Sequence, residues 1–186
     1  DKTIVKLQQE KFEVEKIKKI GLNQINVPKI LFSNEEYFVM SDTGENLKEY
    51  IKLHINEKDL YIEIAIRVLS ILHNKNFAHG GSQIRNFTIK NEMISLIDFE
   101  EKIPEEYMKE FQKRDVLLFI LSLEKANFCP DVEKICRFYE EVSLNKNIYE
   151  ELQQFLLKFK WIYFLKNPIF RKIKIEISAA LSIADK

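Results

Sequence analysis

Leu72–Glu101, LHNKNFAHGGSQIRNFTIKNEMISLIDFEE, changes character twice within one short stretch. It opens as the end of a helix and passes through His79, Gly80 and Gly81. Two short apolar runs follow, Phe87 to Ile89 and Met93 to Ile97, around Lys90, Asn91 and Glu92. Apolar runs about a brief polar turn predict a hairpin. The chain holds only 4 Gly, so two of them side by side before the hairpin mark a backbone under special demand. Asp98 then ends the second run, in ISLIDFE. An unpaired carboxylate beside a buried strand is costly, so this position asks for a ligand rather than for packing.

Outward from the hairpin, the apolar period sets the remaining elements. Upstream, Thr3 to Leu7 predicts a strand, and Gln8 to Ile20 an amphipathic helix that Gly21 would end as a C-cap. Val27 to Phe32 and Tyr37 to Ser41 predict two strands around the turn SNEE. A short helix over Leu47 to His54 follows. A longer one runs from Glu57 to about Asn74, capped by Asn56 and facing inward with Leu60, Ile64, Val68, Leu69 and Leu72. Downstream, helices are expected over Glu105 to Glu124, Pro130 to Val142, Ile148 to Phe164 and Pro168 to about Ile183. The order is α+β: strands with one helix, then a mostly helical half carrying a small hairpin.

Composition bounds the class. The chain is 186 residues with 29 Lys+Arg against 29 Asp+Glu, 46% hydrophobic and 31% charged. A domain of this size buries roughly 70% of its unfolded surface and needs no disulfide or metal to fold. Zero net charge argues against a nucleic-acid partner, which calls for a basic excess. The longest apolar run, Val116 to Leu123, is far short of a membrane span. Asp1 to Gln9 is charged and polar, unlike a signal peptide. Cys129 and Cys136 have neither redox-pair nor zinc spacing, which predicts two reduced thiols in a cytoplasmic protein.

The central stretch resembles the protein-kinase-like phosphotransferase superfamily, particularly the small atypical kinases, lipopolysaccharide-core kinases and aminoglycoside phosphotransferases. Their catalytic loop reads H-G-D-x-x-x-x-N and is followed by a hydrophobic I-D-F/W. His79 and Gly80 match, Asn86 falls at the magnesium-binding Asn, and Asp98 falls at the second magnesium ligand. The resemblance implies ATP and magnesium as cofactors, with an Asp and an Asn oxygen on a small hard cation that bridges phosphate oxygens. Asn86 also reads as a turn residue bonded to its own backbone. His79 reads as a packed structural histidine. Gly81 departs from the pattern, because it occupies the place of the Asp that receives the substrate proton. Arg85, beside Asn86, would clamp a phosphate or an acidic substrate; Glu100 and Glu101 replace the Gly of a DFG-type motif and offer another carboxylate.

Less specific matches extend the resemblance over about Thr3 to Leu123. Lys6 in TIVKL looks like the strand lysine on the nucleotide phosphates, with Glu13 as its partner carboxylate and Glu10 and Glu15 competing. YFVMSDTGENL looks like the hinge, whose amides near Met40 and Asp42 would meet an adenine edge. Asp115 would hold the catalytic loop through its amides. The fold implied is a compact kinase-like one; only five residues precede Lys6 and none is Gly, so the family's Gly-rich strands either lie upstream of this sequence or are truncated. Residues 1–42 form a reduced small lobe and hinge, and residues 43–186 a helical large lobe with the hairpin region at 79–101. Two functions follow from the resemblance: a phosphotransferase for an unknown acceptor, or a pseudokinase that senses nucleotide or binds a protein partner. The aromatics Phe155, Phe159, Trp161, Tyr163 and Phe164 read as core packing of a C-terminal helix rather than a base-stacking platform.

Overall fold

Three strands of the first third pair into an antiparallel sheet of order β1-β3-β2. They are β1 (Lys2–Lys6), β2 (Ile30–Ser33) and β3 (Tyr37–Ser41). The computed structural model describes residues 2–6, 10–34, 36–99 and 101–158. Asn34 Oδ1 accepts the amides of Glu36 and Tyr37, both at 2.8 Å, and so closes the β2–β3 turn. Pro28 lies just before the strand; without an N–H to offer the ladder, it holds the start of β2 to Ile30.

Helix α1 (Glu10–Leu22) runs between β1 and β2 and buries Val14, Ile17 and Ile20. Gly21 does not end it, contrary to the sequence expectation. The helix continues to Leu22, and the left-handed residue that stops it is Gln24, at φ 62°. Gly21 instead faces Val27, whose methyl carbon would lie 3.5 Å from an added Cβ.

A second antiparallel sheet, of order β4-β5-β6, is built by β4 (Glu45–Asn46), β5 (Phe87–Lys90) and β6 (Met93–Leu96). The expected hairpin is present, and its turn residues Asn91 and Glu92 take φ 49° and 62°. Two consecutive left-handed residues suit the right-handed twist of the strands they join. Asn46 caps α2 (Leu47–Leu53) by accepting from the Lys48 amide at 3.1 Å.

Helix α3 (Lys58–Asn74) follows a 3-10 turn over Ile55–Glu57. Asn56 lies within that turn and caps nothing, and α3 starts without a side-chain cap. Its buried face is also rotated from the one expected. Tyr61, Ile62, Ala65, Ile66, Leu69 and Leu72 point inward while Leu60 is exposed. The helix is packed on two sides, so its apolar residues cover more than the single stripe that a one-sided period describes.

Helices α4 (Met108–Lys125), α5 (Val132–Val142) and α6 (Ile148–Lys158) complete the described chain. Helix α5 begins at Val132 rather than Pro130, because Asp131 caps it through the Lys134 amide at 2.9 Å. The helix expected over Pro168 to Ile183, and the aromatics Phe159, Trp161, Tyr163 and Phe164, lie outside the described residues. Phe155 packs half-buried against the core.

One apolar cluster joins α1 to both the second sheet and the helices. Leu47, Ile51, Ile66, Leu69, Leu72, Phe87, Phe99, Phe119 and Ile120 are all fully buried within it. Among the described residues, no helix is long and apolar enough to cross a membrane. Cys129 is exposed and Cys136 buried, and both are free thiols.

Candidate functional site

The loop between α3 and β5 is held from below by one buried carboxylate. Asp115 of α4 is fully buried and accepts the amides of His79 at 2.7 Å and Gly80 at 3.0 Å. The Ser82 hydroxyl donates to its backbone carbonyl at 2.5 Å. His73 Nε2 lies 3.3 Å from the same carboxylate, and its Nδ1 meets the Tyr139 hydroxyl at 2.8 Å. Burial alone raises a carboxyl pKa, but His73 and the His79 amide outweigh it and hold Asp115 below the usual aspartate value. An ionised carboxylate at this depth is stable only because the loop amides turn toward it.

His79 is a structural member of this loop. Its Nδ1 accepts the Gly81 amide at 3.2 Å, so the proton sits on Nε2, which donates to the Ile97 carbonyl at 2.8 Å. Burial pushes its pKa down and keeps the ring neutral. Phe99 stacks on that ring at 4.5 Å between centroids.

These contacts bring Asn86 and Asp98 to adjacent places. Phe87 pairs with Leu96, and one step outward the Ile97 amide donates to the Asn86 carbonyl at 3.0 Å. The Asn86 side chain is buried and donates through Nδ2 to the Gly81 carbonyl at 2.8 Å, which turns Oδ1 to the other side of the amide. Asp98 stands between two pinned neighbours: Ile97 is held by His79 and Asn86, and the Phe99 amide donates to Glu13 Oε1 at 3.2 Å. The intervening residue takes φ 71° and leaves its carboxylate exposed. A left-handed backbone at a non-glycine residue costs free energy and persists only where its surroundings enforce it.

The chemistry of these donors suits a hard divalent cation. Asp98 contributes a solvated carboxylate and Asn86 an amide oxygen, both ligand types that magnesium takes together with phosphate oxygens and water. Among the described residues, no group of three or more His, Cys, Asp and Glu side chains gathers to hold a metal alone.

Other expected site residues are distributed around this centre. Glu13 is buried and reaches the Asp98–Phe99 turn. Lys6 ends β1 opposite Tyr37; its side chain lies outside the described part. Met40 is inside the first sheet, paired with Thr3 and Ile30, so its backbone serves the ladder. The chain leaves the sheet after Ser41, and the Asp42 carboxylate binds Lys90 and the Gly44 amide, each at 2.9 Å. Those bonds, the Lys90 one foremost, lower the Asp42 pKa. Arg85 is exposed beside Asn86, and its carbonyl accepts from Asn46 at 2.6 Å.

Two residues that the sequence reading passed over bind the site together. Lys16, half-buried on α1, donates to the carbonyls of His79 and Glu101, both at 3.1 Å, and lies 5.5 Å from the Phe99 ring centre. Burial brings its pKa down to about 8, against the opposing pull of Asp115, Glu101 and Glu13. Arg114, next to Asp115, donates to Glu101 Oε1 at 2.7 Å. Lys16 lies one turn beyond Glu13 on the same helix face, a spacing that does not set it apart from the other lysines of α1.

No family model matches the chain. It is similar to an uncharacterized protein of Haemophilus influenzae, at 27% identity over 163 residues that cover 85% of this chain and 67% of the relative. The likeness gives the chain a relative and brings no activity with it.

Proposed function

We propose that this chain is a nucleotide- and magnesium-binding phosphotransferase of protein-kinase-like architecture. The observation that carries the reading is Asp98: an exposed carboxylate held at φ 71° between two pinned residues, one of which, Ile97, is bonded to the Asn86 backbone. Glu92 owes its left-handed backbone to the hairpin turn, whereas Asp98 lies outside that turn, between residues pinned by His79, Asn86 and Glu13, which supports a ligand role. In this reading Asp98 and Asn86 Oδ1 hold the magnesium of a magnesium–ATP complex, whose charge eases phosphoryl transfer. Lys6 neutralises phosphate charge, Glu13 fixes the Asp98–Phe99 turn, and the amides after Ser41 meet the adenine. Arg85 faces the acceptor. His79 and Asp115 keep the loop in shape and exchange no proton with substrate.

A second reading, a pseudokinase that binds nucleotide or a protein partner without transfer, is favoured by Gly81, which offers no carboxylate to an acceptor hydroxyl. Calorimetric titration of ATP, with and without magnesium, into the protein and into Asp98→Ala tests the shared premise. Magnesium-dependent binding that Asp98→Ala removes is expected. Absence of binding to folded protein at millimolar nucleotide would overturn both nucleotide readings.

A further inference from the structure

Gly81 and Gly80 differ in what surrounds them. A Cβ added at Gly81 would have one neighbour within 4 Å among the described residues beyond its chain neighbours, Asn86 Nδ2 at 3.7 Å. Its φ is not in the left-handed range, so nothing in the backbone demands glycine there. Gly80, at φ 96°, is covered. An added Cβ would lie 2.6 Å from Glu101 Cβ, 3.0 Å from Glu101 Oε2 and 3.3 Å from Glu101 Cγ. The first glycine therefore lets the Glu101 side chain lie against the loop, and the second leaves the adjoining space open.

Glu101 is held there from three directions. Lys16 takes its backbone carbonyl, Arg114 takes Oε1, and the Gly80 backbone supports the side chain. No described residue donates a hydrogen bond to Oε2. The Arg114–Glu101 pair is part-exposed, with side-chain accessibilities of 40% and 37%. Such a pair contributes at most about 1 kcal/mol to stability, so stability alone is a weak reason for three contacts to converge on one glutamate. Their combined effect is orientation: Arg114 fixes Oε1, and Oε2 lies against Gly80, the residue before the open position 81.

We infer that Glu101 supplies, from the far side of the hairpin, the carboxylate that position 81 lacks, and that its Oε2 receives the proton of the attacking hydroxyl. The inference rests on the phosphotransferase reading above. In the step, the acceptor hydroxyl oxygen forms a bond to the γ-phosphorus, and the bond from that phosphorus to the β,γ-bridging oxygen breaks. ADP departs with the bonding pair. The hydroxyl proton passes to Glu101 Oε2 and then to water, so ATP and an alcohol, or water, yield ADP, a phosphate ester or inorganic phosphate, and one proton. Arg114 and Lys16 act as positioning residues: Arg114 holds Glu101 Oε1, and Lys16 holds the carbonyls of Glu101 and His79.

The test uses water as the acceptor, so that no substrate need be known. Glu101→Gln keeps the shape and an oxygen for Arg114 while removing the basic carboxylate. Magnesium–ATP affinity is read by calorimetry, and inorganic phosphate release is read at saturating nucleotide. Glu101→Gln is expected to bind magnesium–ATP within about twofold of the parent protein and to lose roughly a hundredfold or more of its phosphate release, the low end of general-base effects. Adding Gly81→Asp to Glu101→Gln is expected to restore release, since the open space accepts the new side chain. Undiminished release by Glu101→Gln would overturn the inference, as would a parent protein that binds nucleotide but releases no phosphate, with or without Gly81→Asp. Failure of the folded parent protein to bind magnesium–ATP overturns the phosphotransferase reading itself, and is told apart by the calorimetry.

Discussion

Asp115 concentrates more of the site's architecture than any residue that faces solvent. Its carboxylate takes two loop amides and lies against His73, so truncation leaves several buried donors unpaired at once. Asp115→Ala is expected to cost roughly 3 kcal/mol or more, measured by urea unfolding. Tyr139→Phe removes only the hydroxyl that meets His73 at 2.8 Å. About 1 kcal/mol is expected for it by the same measurement, with the loop amides still held by Asp115.

Among the elements, the short helix α2 links the second sheet to the site. Asn46 caps it through Oδ1 and, through Nδ2, donates to the Arg85 carbonyl one residue from Asn86. Asn46→Ala is therefore expected to lower stability by about 1–2 kcal/mol in thermal unfolding, the upper end of a lost cap. It is also expected to loosen amide exchange at Arg85 and Asn86.

The elements show where the sequence is legible. The hairpin from Phe87 to Leu96 could be read because its alternation and turn are local, and the spacing from His79 to Asn86 and Asp98 because the chain is continuous there. The tether of Lys16 could not. In KFEVEKIKK it looks like any solvated lysine, and only the approach of a distant loop gives it two carbonyl partners. The same cause displaced the expected face of α3, since burial on two sides is decided by neighbours far away in sequence. Asn56 and Gly21 had the right residue types for caps, but packing assigned the helix ends to Glu57 and Gln24.

At the scale of the whole molecule, stability should carry the signature of groups buried around the site. His79 has a folded pKa below its ordinary value of 6.5, so the unfolded chain binds more protons on acidification. Its contribution is full above about pH 6.5 and is lost below. Asp115, also lowered, adds a further loss as pH falls through its ordinary value of 3.8. On the alkaline side, Lys16 holds its proton to about pH 8 when folded and to 10.5 when unfolded. Between those values the unfolded chain again binds more protons, so stability is expected to rise with pH. Melting temperature followed from pH 5 to 10 checks both limbs, and Lys16→Met should flatten the alkaline one.

The central claim is that the strained acid beside Asn86 is a cation site shared with a nucleotide. The most direct measurement is a crystal structure of the protein grown with magnesium and a non-hydrolysable ATP analogue. The account predicts a metal about 2.0–2.1 Å from both an Asp98 carboxylate oxygen and Asn86 Oδ1, with phosphate oxygens among its other ligands. Bound nucleotide whose metal touches neither residue, or crystals of the folded protein that take up no analogue at saturating concentration, would contradict it.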